Sequence, residues 1–270
     1  MAGLRIDAVS VRFGGLTALE DVSFEVPPGS VVGVIGPNGA GKTTLFNVIS
    51  GFVQPTSGSV EWEGRPFHPV PRRLVRHRIS RTLQAVGLFA HMSALENVMV
   101  GAAESRRAGF VSALLGLPRS DRDEARLRAD ALRLLERLDV ADAAHRLPTT
   151  LPFPVQKRVA LARALISNPR LLLLDEPAGG LGAEDLEPLS ELIVSLPRSE
   201  EPCSVLLVEH HMDLVMEVCD QVVVLDFGRR VAAGTPEEVR RDPQVATAYL
   251  GADVPPDADE VGLSEAGSIR

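Results

Sequence analysis

Four short runs of apolar residues predict strands that are buried on both faces. Residues 31–35 read VVGVI, and similar runs occupy 171–174, 205–208 and 222–225. Consecutive apolar side chains are typical of a strand that is covered on both sides, as in a parallel sheet. The pattern therefore predicts a buried sheet whose strands come from distant parts of the sequence.

The first third of the chain has a different pattern, in which apolar and polar residues partly alternate. This alternation covers 4–13, 20–26 and 58–64, and the sequence Pro27-Pro28-Gly29 marks a turn. Such segments are typical of short strands with one buried face. We therefore expect a small antiparallel β part near the front of the chain.

Helical spacing occurs between the apolar runs. In 127–138 and in 186–196, leucine, isoleucine and alanine recur every three or four residues, which places them on one face of a helix. Buried strands that alternate with amphipathic helices indicate an α/β fold with a mainly parallel sheet.

The composition is that of a globular chain and excludes several classes of protein. The 270 residues are 45% apolar and carry a net charge of −8, which argues against nucleic-acid binding through bulk positive charge. The two cysteines, Cys203 and Cys219, cannot form a disulfide framework. The start lacks the apolar core of a signal peptide, and no run approaches the roughly 20 apolar residues of a membrane span. We expect a cytoplasmic chain, with the acidic stretch 253–270 as a disordered tail.

The segment after the first apolar run has the spacing of a phosphate-binding loop, G-x-x-x-x-G-K-[ST], between a strand and a helix. Glycines let successive backbone N–H groups turn inward around an anion, and the following helix adds its positive end. The lysine suits the β and γ phosphates of a nucleotide, and the hydroxyl after it suits Mg²⁺. Lysine occurs elsewhere only at Lys157, which favours a specific demand for an ammonium at this position. The loop comprises Gly36, Pro37, Asn38, Gly39, Ala40, Gly41, Lys42, Thr43 and Thr44.

Two acidic residues, Asp175 and Glu176, directly follow the second apolar run. The carboxyl edge of a parallel sheet is where α/β proteins bind ligands, so these carboxylates are expected beside the phosphate loop. Asp175 is suited to the Mg²⁺ shell, and Glu176 to polarising the water that attacks a phosphate. The alternative is a pair of acids that only caps a surface turn.

Together these motifs resemble the ATPase subunits of ABC transporters. The resemblance implies a P-loop ABC ATPase core over 1–252, with a mainly parallel sheet, an antiparallel β subdomain and an α-helical subdomain at about 88–165. It also implies ATP and Mg²⁺ as ligands, and ATP hydrolysis coupled to transport. The residues that carry it are GPNGAGKTT at 36–44, RTLQ at 81–84, LLLLDEP at 171–177 and Glu209-His210.

Within that family the chain is most similar to the ATP-binding subunits of branched-chain amino acid importers. This narrower resemblance implies an importer of branched-chain amino acids or similar small polar solutes. Its partners would be membrane permease subunits and a second ATPase subunit, which would hold the chain at the inner face of the membrane. The matching segments are RTLQAVGLFAHMSALENVMVG, GFVSALLGLP within 101–138, and GTPEEVRRDPQVATAYLG.

The resemblance assigns roles to three further residues. Phe13 matches the aromatic position on which the family stacks adenine. Gln84 would sense Mg²⁺ and water and link the nucleotide site to the permease, and His210 would contact the γ phosphate. No catalytic role is assigned to His211.

The chain departs from the family at its signature, roughly LS-x-GQ, which reaches across a dimer to the partner's ATP. Here the aligned residues read Leu151-Pro152-Phe153-Pro154-Val155, and proline has no N–H to donate. This predicts a heterodimer in which ATP on the partner turns over slowly, with a homodimer still possible. One alternative is a regulatory subunit with little hydrolysis of its own, and another is that the prolines simply begin the helix. A second departure is Gly182, where many members have aspartate.

A basic run extends from Arg72 to Arg81. Such a run suits an anionic partner, but a solvated helix face beside the sheet is the favoured interpretation.

Overall fold

A computed structural model of the chain describes residues 3–82, 86–102 and 118–250. The strands in these residues form two sheets, one with four strands and one with six. Their bounds are β1 Leu4–Phe13, β2 Leu16–Val26, β3 Val31–Ile35, β4 Ser57–Trp62, β5 Arg65–Pro66, β6 Ile79–Arg81, β7 Leu171–Asp175, β8 Ser204–Val208, β9 Gln221–Asp226 and β10 Arg229–Gly234.

Helices cover both faces of the larger sheet and fill the middle of the chain. Short 3₁₀ turns at 71–77, 141–143, 148–150 and 196–198 connect the longer elements. The helices are α1 Lys42–Ile49, α2 Ala94–Val100, α3 Pro118–Arg137, α4 Phe153–Leu165, α5 Ala183–Ser195, α6 Met212–Val218, α7 Pro236–Arg241 and α8 Pro243–Leu250.

The six-stranded sheet has the order β10-β9-β3-β8-β7-β6, and all neighbours are parallel except β10 and β9. Every residue of β3, β7 and β8 is buried, because apolar clusters cover both faces of the sheet. The mainly parallel α/β fold that the apolar runs predict is therefore confirmed. Since β8 lies between β3 and β7, the loops that follow these three strands meet at one edge.

The four-stranded sheet is antiparallel, with the order β2-β1-β4-β5, as the alternating pattern predicts. β2 begins at Leu16, earlier than the predicted start at residue 20, because a tight hairpin through Gly14 and Gly15 pairs Phe13 with Leu16. This sheet packs against α1, whose Phe46 is fully buried with side chains of β1 and β2.

Between β6 and β7 the described residues contain helices and 3₁₀ turns but no strand. Helices α2, α3 and α4 pack on one another around Leu95, Ala131 and Leu135, which are buried. The apolar spacing at 127–138 therefore marks the packed face of α3, as predicted. The described residues do not include 103–117, the candidate site residue Gln84 or the predicted acidic tail at 253–270.

Two findings bear on the predictions from composition. No helix within the described ranges is long and apolar enough to cross a membrane. Cys203 and Cys219 are both free and buried, and burial raises the pKa of each thiol to about 12. Both thiols therefore stay protonated and act as small apolar core groups.

Gly33, in the middle of β3, lies against side chains of α6 and of Cys219, the residue that follows this helix. A Cβ atom at this position would lie 2.8 Å from Cys219 Sγ and 3.1 Å from Val215 Cγ1. The end of α6 can therefore pack on the central strand because residue 33 has no side chain.

We predict that Gly33→Ala lowers the free energy of unfolding by about 1–3 kcal/mol, because a packed core tolerates an added methyl group poorly. Urea unfolding of the full chain measures this. Gly15→Ala is the matched control, since a Cβ there has no atom within 4 Å, and we expect a change below about 0.5 kcal/mol. Equal effects of the two variants would contradict the packing argument.

Candidate nucleotide-binding site

Helix α1 lacks a side-chain cap at its N-terminus. Its N-cap residue is Gly41, with φ 99°, and no side chain accepts a hydrogen bond from the first turn. By contrast, capping boxes close the starts of α2 and α7, with Ser93 and Thr235 as N-cap residues. The first N–H groups of a helix have no partner within the helix, so the start of α1 presents them to an anion.

The phosphate loop is pressed against neighbouring backbone. A Cβ on Gly41 would lie 2.7 Å from the carbonyl oxygen of Ala18 and 2.8 Å from Leu19 Cδ2. On the other side, the Gly228 N–H in the β9–β10 turn donates to the Ala40 carbonyl at 3.1 Å. β2 and this turn therefore hold the loop in place, while its tip at Asn38 and Gly39 stays exposed.

Lys42 lies inside the loop, and only 8% of its surface is exposed. Its Nζ donates to the carbonyl oxygens of Gly36 at 2.6 Å and Pro37 at 2.9 Å. Burial lowers the pKa of the ammonium, and the negative charge of Glu176 opposes that shift. The loop lysine and the acid after β7, predicted from separate motifs, are therefore close enough to interact.

Asp175 ends β7 and forms a buried ion pair that the sequence analysis did not predict. Arg81 Nη2 donates to its Oδ2 at 2.8 Å, and the two side chains are 10% and 5% exposed. Arg81 Nη1 also donates to Asn47 Oδ1 and Ser50 Oγ at the end of α1, and the guanidinium lies 5.5 Å from the Phe46 ring centroid. The interpretation of the basic run as a solvated face is therefore wrong for Arg81, although Arg72 and Arg73 are exposed.

Glu176 adopts an unusual backbone conformation just beyond β7. Its φ is 49°, in the left-handed region that non-glycine residues rarely occupy. Its N–H donates to the Val208 carbonyl at 2.9 Å, so the turn starts while still bonded to the neighbouring strand. Such strained residues cluster at functional sites, where the surrounding structure enforces them.

Glu209 is a buried carboxylate that joins the loops after β7 and β8. It accepts hydrogen bonds from the N–H groups of Ala178 at 2.7 Å, His210 at 2.9 Å and His211 at 3.2 Å, and it is fully buried. Sequence reasoning placed Glu209 in a motif without giving it a role. The His210 side chain is 56% exposed, with Nδ1 3.7 Å from Glu209 Oε2.

Phe13 and the loop hydroxyls are accessible. Phe13 ends β1 with about half of its surface exposed, a suitable position for stacking on a planar ring. Thr43 is exposed and Thr44 is half-buried.

The carboxylate and hydroxyl oxygens at this site suit Mg²⁺ that is bound together with a nucleotide. They do not suit a metal ion whose ligands all come from the protein. In the described residues, no group of three or more His, Cys, Asp or Glu side chains is arranged so that it could hold a metal ion. Mg²⁺ bound with a nucleotide typically takes only one or two protein carboxylates and completes its shell with phosphate and water. Asp175 provides one carboxylate, of which Arg81 binds Oδ2, and Thr43 provides an accessible hydroxyl.

The degenerate signature starts α4. Pro152 is the N-cap residue and no side chain caps the helix, while Pro154 occupies the second helical position. Of the first three helical residues, only Phe153 and Val155 carry an N–H group. The prolines therefore do begin a helix, as one interpretation of the sequence held, and this helix start offers fewer donors to an anion.

We predict that Lys42→Ala lowers the affinity of the full chain for ATP by about 100-fold or more, because it removes the buried cation that faces the phosphates. Isothermal calorimetry measures this affinity. Arg133→Ala removes an exposed cation from α3 and serves as the control with unchanged affinity. Binding of ATP by Lys42→Ala at the wild-type affinity would show that this loop does not hold the phosphates.

Comparison with known proteins agrees with this geometry. A family model described as ABC transporter matches residues 19–179, and one described as branched-chain amino acid ATP-binding cassette transporter matches 229–255. The chain is 41% identical over 249 residues to BraF, the high-affinity branched-chain amino acid transport ATP-binding protein of Pseudomonas aeruginosa, a match that covers 92% of this chain and 97% of BraF.

Solved structures show the same fold. An ATP-binding cassette of an ABC transporter in its ADP conformation aligns with a TM-score of 0.79 and 29% identity, over 93% of this chain and 99% of that one. A dimeric bacterial ABC transporter cassette aligns with a TM-score of 0.73 and 25% identity, over 86% and 98%. The resemblance and the fold expected from it are thus confirmed, and the chain belongs to the ABC transporter family as one of its ATP-binding, ATP-hydrolysing subunits.

Proposed function

We propose that the chain powers an importer by binding and hydrolysing ATP at the carboxyl edge of its parallel sheet. The observation that carries this proposal is that an uncapped helix start, the buried Lys42 and the acidic residue Glu176 meet at that edge. The loop 36–44 cradles the phosphates with backbone N–H groups, and Lys42 holds the β and γ phosphates. Asp175 and the Thr43 hydroxyl hold Mg²⁺, which screens the negative charge of these phosphates.

Glu176 acts as the general base. A carboxylate at this position polarises the water that attacks the γ phosphate, and its negative charge acts on Lys42 in the phosphate loop. His210 contacts the γ phosphate, since the bond of its N–H to Glu209 fixes its backbone and its side chain is accessible. Phe13 stacks on adenine, and Gln84 senses Mg²⁺ and water.

The transported solutes are branched-chain amino acids or similar small polar molecules. This is supported by the printed role of BraF and by the match of residues 229–255 to the branched-chain amino acid model. The nucleotide site itself carries no information on the solute, because every residue proposed there faces ATP or Mg²⁺.

The chain acts at the inner face of the membrane through permease subunits. The exposed apolar side chains of Phe89, Met92 and Leu147 are suited to such a partner. Backbone hydrogen bonds connect their segments, since the Met92 N–H donates to the Phe89 carbonyl, and the Ala94 N–H donates to the carbonyl of Arg146. Phe89 and Met92 follow Gln84 in the sequence. Gln84 would pass changes at the nucleotide to the permease.

The second ATPase subunit is a different chain with an intact signature. Pro152 and Pro154 replace a hydroxyl and a backbone donor that a partner's ATP would use, and each charge-assisted hydrogen bond contributes about 1.5–3 kcal/mol. ATP on this chain is hydrolysed when the partner supplies its signature, whereas ATP on the partner turns over slowly. A regulatory subunit with little hydrolysis is the second candidate, and the same prolines favour it if the chain pairs with itself.

We predict that Glu176→Gln keeps the affinity for ATP and slows hydrolysis by about tenfold or more, because it removes the basic oxygen and preserves the shape of the side chain. Phosphate release by the assembled transporter and calorimetry of the full chain measure the two effects. The control is Glu187→Gln, an exposed position on α5. Unchanged turnover in Glu176→Gln would exclude Glu176 as the base.

We further predict that Pro152→Ser combined with Pro154→Gly raises turnover of the complex by about fivefold or more, since it restores a hydroxyl and two N–H groups at the start of α4. The measurement is ATPase activity of the full chain, alone and with its partner. Strong activity of the unmodified chain alone, with no gain on restoration, would contradict the heterodimer and favour a homodimeric motor.

A further inference from the structure

Lys157 is the second of the two lysines in the chain, and it also contacts the nucleotide site. It lies near the start of α4, two residues after the degenerate signature, and it is half-buried. Its Nζ donates to the carbonyl oxygens of Pro177 at 2.8 Å and Glu176 at 3.2 Å. A single ammonium therefore binds the carbonyls of two consecutive peptide bonds, the first of which directly follows the proposed base.

These two carbonyls belong to a backbone turn that needs support. Glu176 has φ 49°, and a non-glycine residue in this region costs about 1–3 kcal/mol unless its surroundings enforce it. Lysine suits the task because its ammonium has three donors that can point to separate acceptors. Burial lowers the pKa of this ammonium, whereas the carboxylates of Glu209 and Glu176 oppose the shift.

Glu209 also binds this turn, because it accepts a hydrogen bond from the Ala178 N–H at 2.7 Å. Residues 176–178 are thus bound both by a buried carboxylate and by the ammonium of Lys157. Glu209 lies directly after β8. Lys157 belongs to α4 and connects that helix directly to the backbone of Glu176.

The signature position supports this contact within the same chain. The Phe153 ring lies 5.4 Å from Lys157 Nζ, and a Cβ on Gly180 would lie 2.9 Å from Phe153 Cε1. Phe153 therefore packs on the loop that follows the base, and the ammonium of Lys157 lies over its ring. The first turns of α4 contact residues 176–180 of their own chain.

We infer that Lys157 is a positioning residue for Glu176. It fixes the backbone that aims the carboxylate, so that a displacement of α4 also displaces the base. Lys157 does not touch the nucleotide in this assignment, and it acts only through Glu176. The inference rests on the proposed role of Glu176 as the base.

The test uses the full chain in the assembled transporter. Lys157→Met keeps the length of the side chain and removes the ammonium, so kcat is expected to fall by about tenfold while the KM for ATP stays within about twofold. Lys157→Arg keeps a cation with several donors and is expected to restore kcat to within about threefold of wild type. A rise in KM without a change in kcat would overturn the inference.

A double-mutant cycle separates positioning from a general structural effect. In the Glu176→Gln background, Lys157→Met is expected to lower kcat by less than about twofold, because residues that act through one group are not additive. Additive losses would overturn the inference. If Glu176→Gln alone leaves turnover unchanged, the proposed base is wrong and the inference falls with it; if only Lys157→Met is without effect, the base stands.

Arg158→Met is the matched control for loosening of α4. Arg158 is the next residue on the helix, and its Nη2 donates to Asp185 Oδ1 on α5 at 2.7 Å. We expect this variant to lower the melting temperature while changing kcat by less than about twofold. An equal loss of kcat in both variants, at equal loss of melting temperature, would show that Lys157 has only a structural role.

Discussion

The nucleotide site at the edge of the sheet is held in place by buried charges, each of which is paired with another group. Burying an unpaired charge is costly, and removing one partner of a buried pair typically costs about 3–5 kcal/mol. Each buried charge here has a partner: Arg81 binds Asp175, Glu209 accepts three backbone N–H groups, and Lys42 donates to loop carbonyls. These pairs connect α1, β6, β7 and the loop after β8, so the positions of Glu176 and His210 depend on them.

Local patterns in the sequence predicted the elements and the residue types of the site. Consecutive apolar residues identified β3, β7, β8 and β9, and the spacing of glycines with Lys42 identified the phosphate loop. Arg81 and Glu209 were missed as organising residues, because their partners Asp175 and Ala178 are distant in sequence and only the strand order brings them together. β6 was missed as well, since a strand of three residues is too short for a periodic pattern.

The degenerate signature at the start of α4 also separates what the sequence predicts from what depends on contacts between distant residues. The absence of donors at Pro152 and Pro154 follows from covalent structure, and sequence alone was enough to predict it. The packing of Phe153 on Gly180 and the bonds of Lys157 depend on where α4 lies relative to β7, which no local rule supplies. A motif that has lost residues for a contact between chains can therefore retain, or acquire, contacts within its own chain.

The scarcity of lysine has a consequence for the reactivity of the molecule. Both ε-amino groups of the chain lie at the nucleotide edge, one buried and one half-buried, and each already donates to backbone carbonyls. Acylation of primary amines requires an accessible, unprotonated nitrogen, so side-chain modification of the folded protein is confined to these two positions. Acylation located on Lys42 and Lys157 is thus a chemical reporter of how open this edge is, in a protein whose other basic side chains are guanidinium groups.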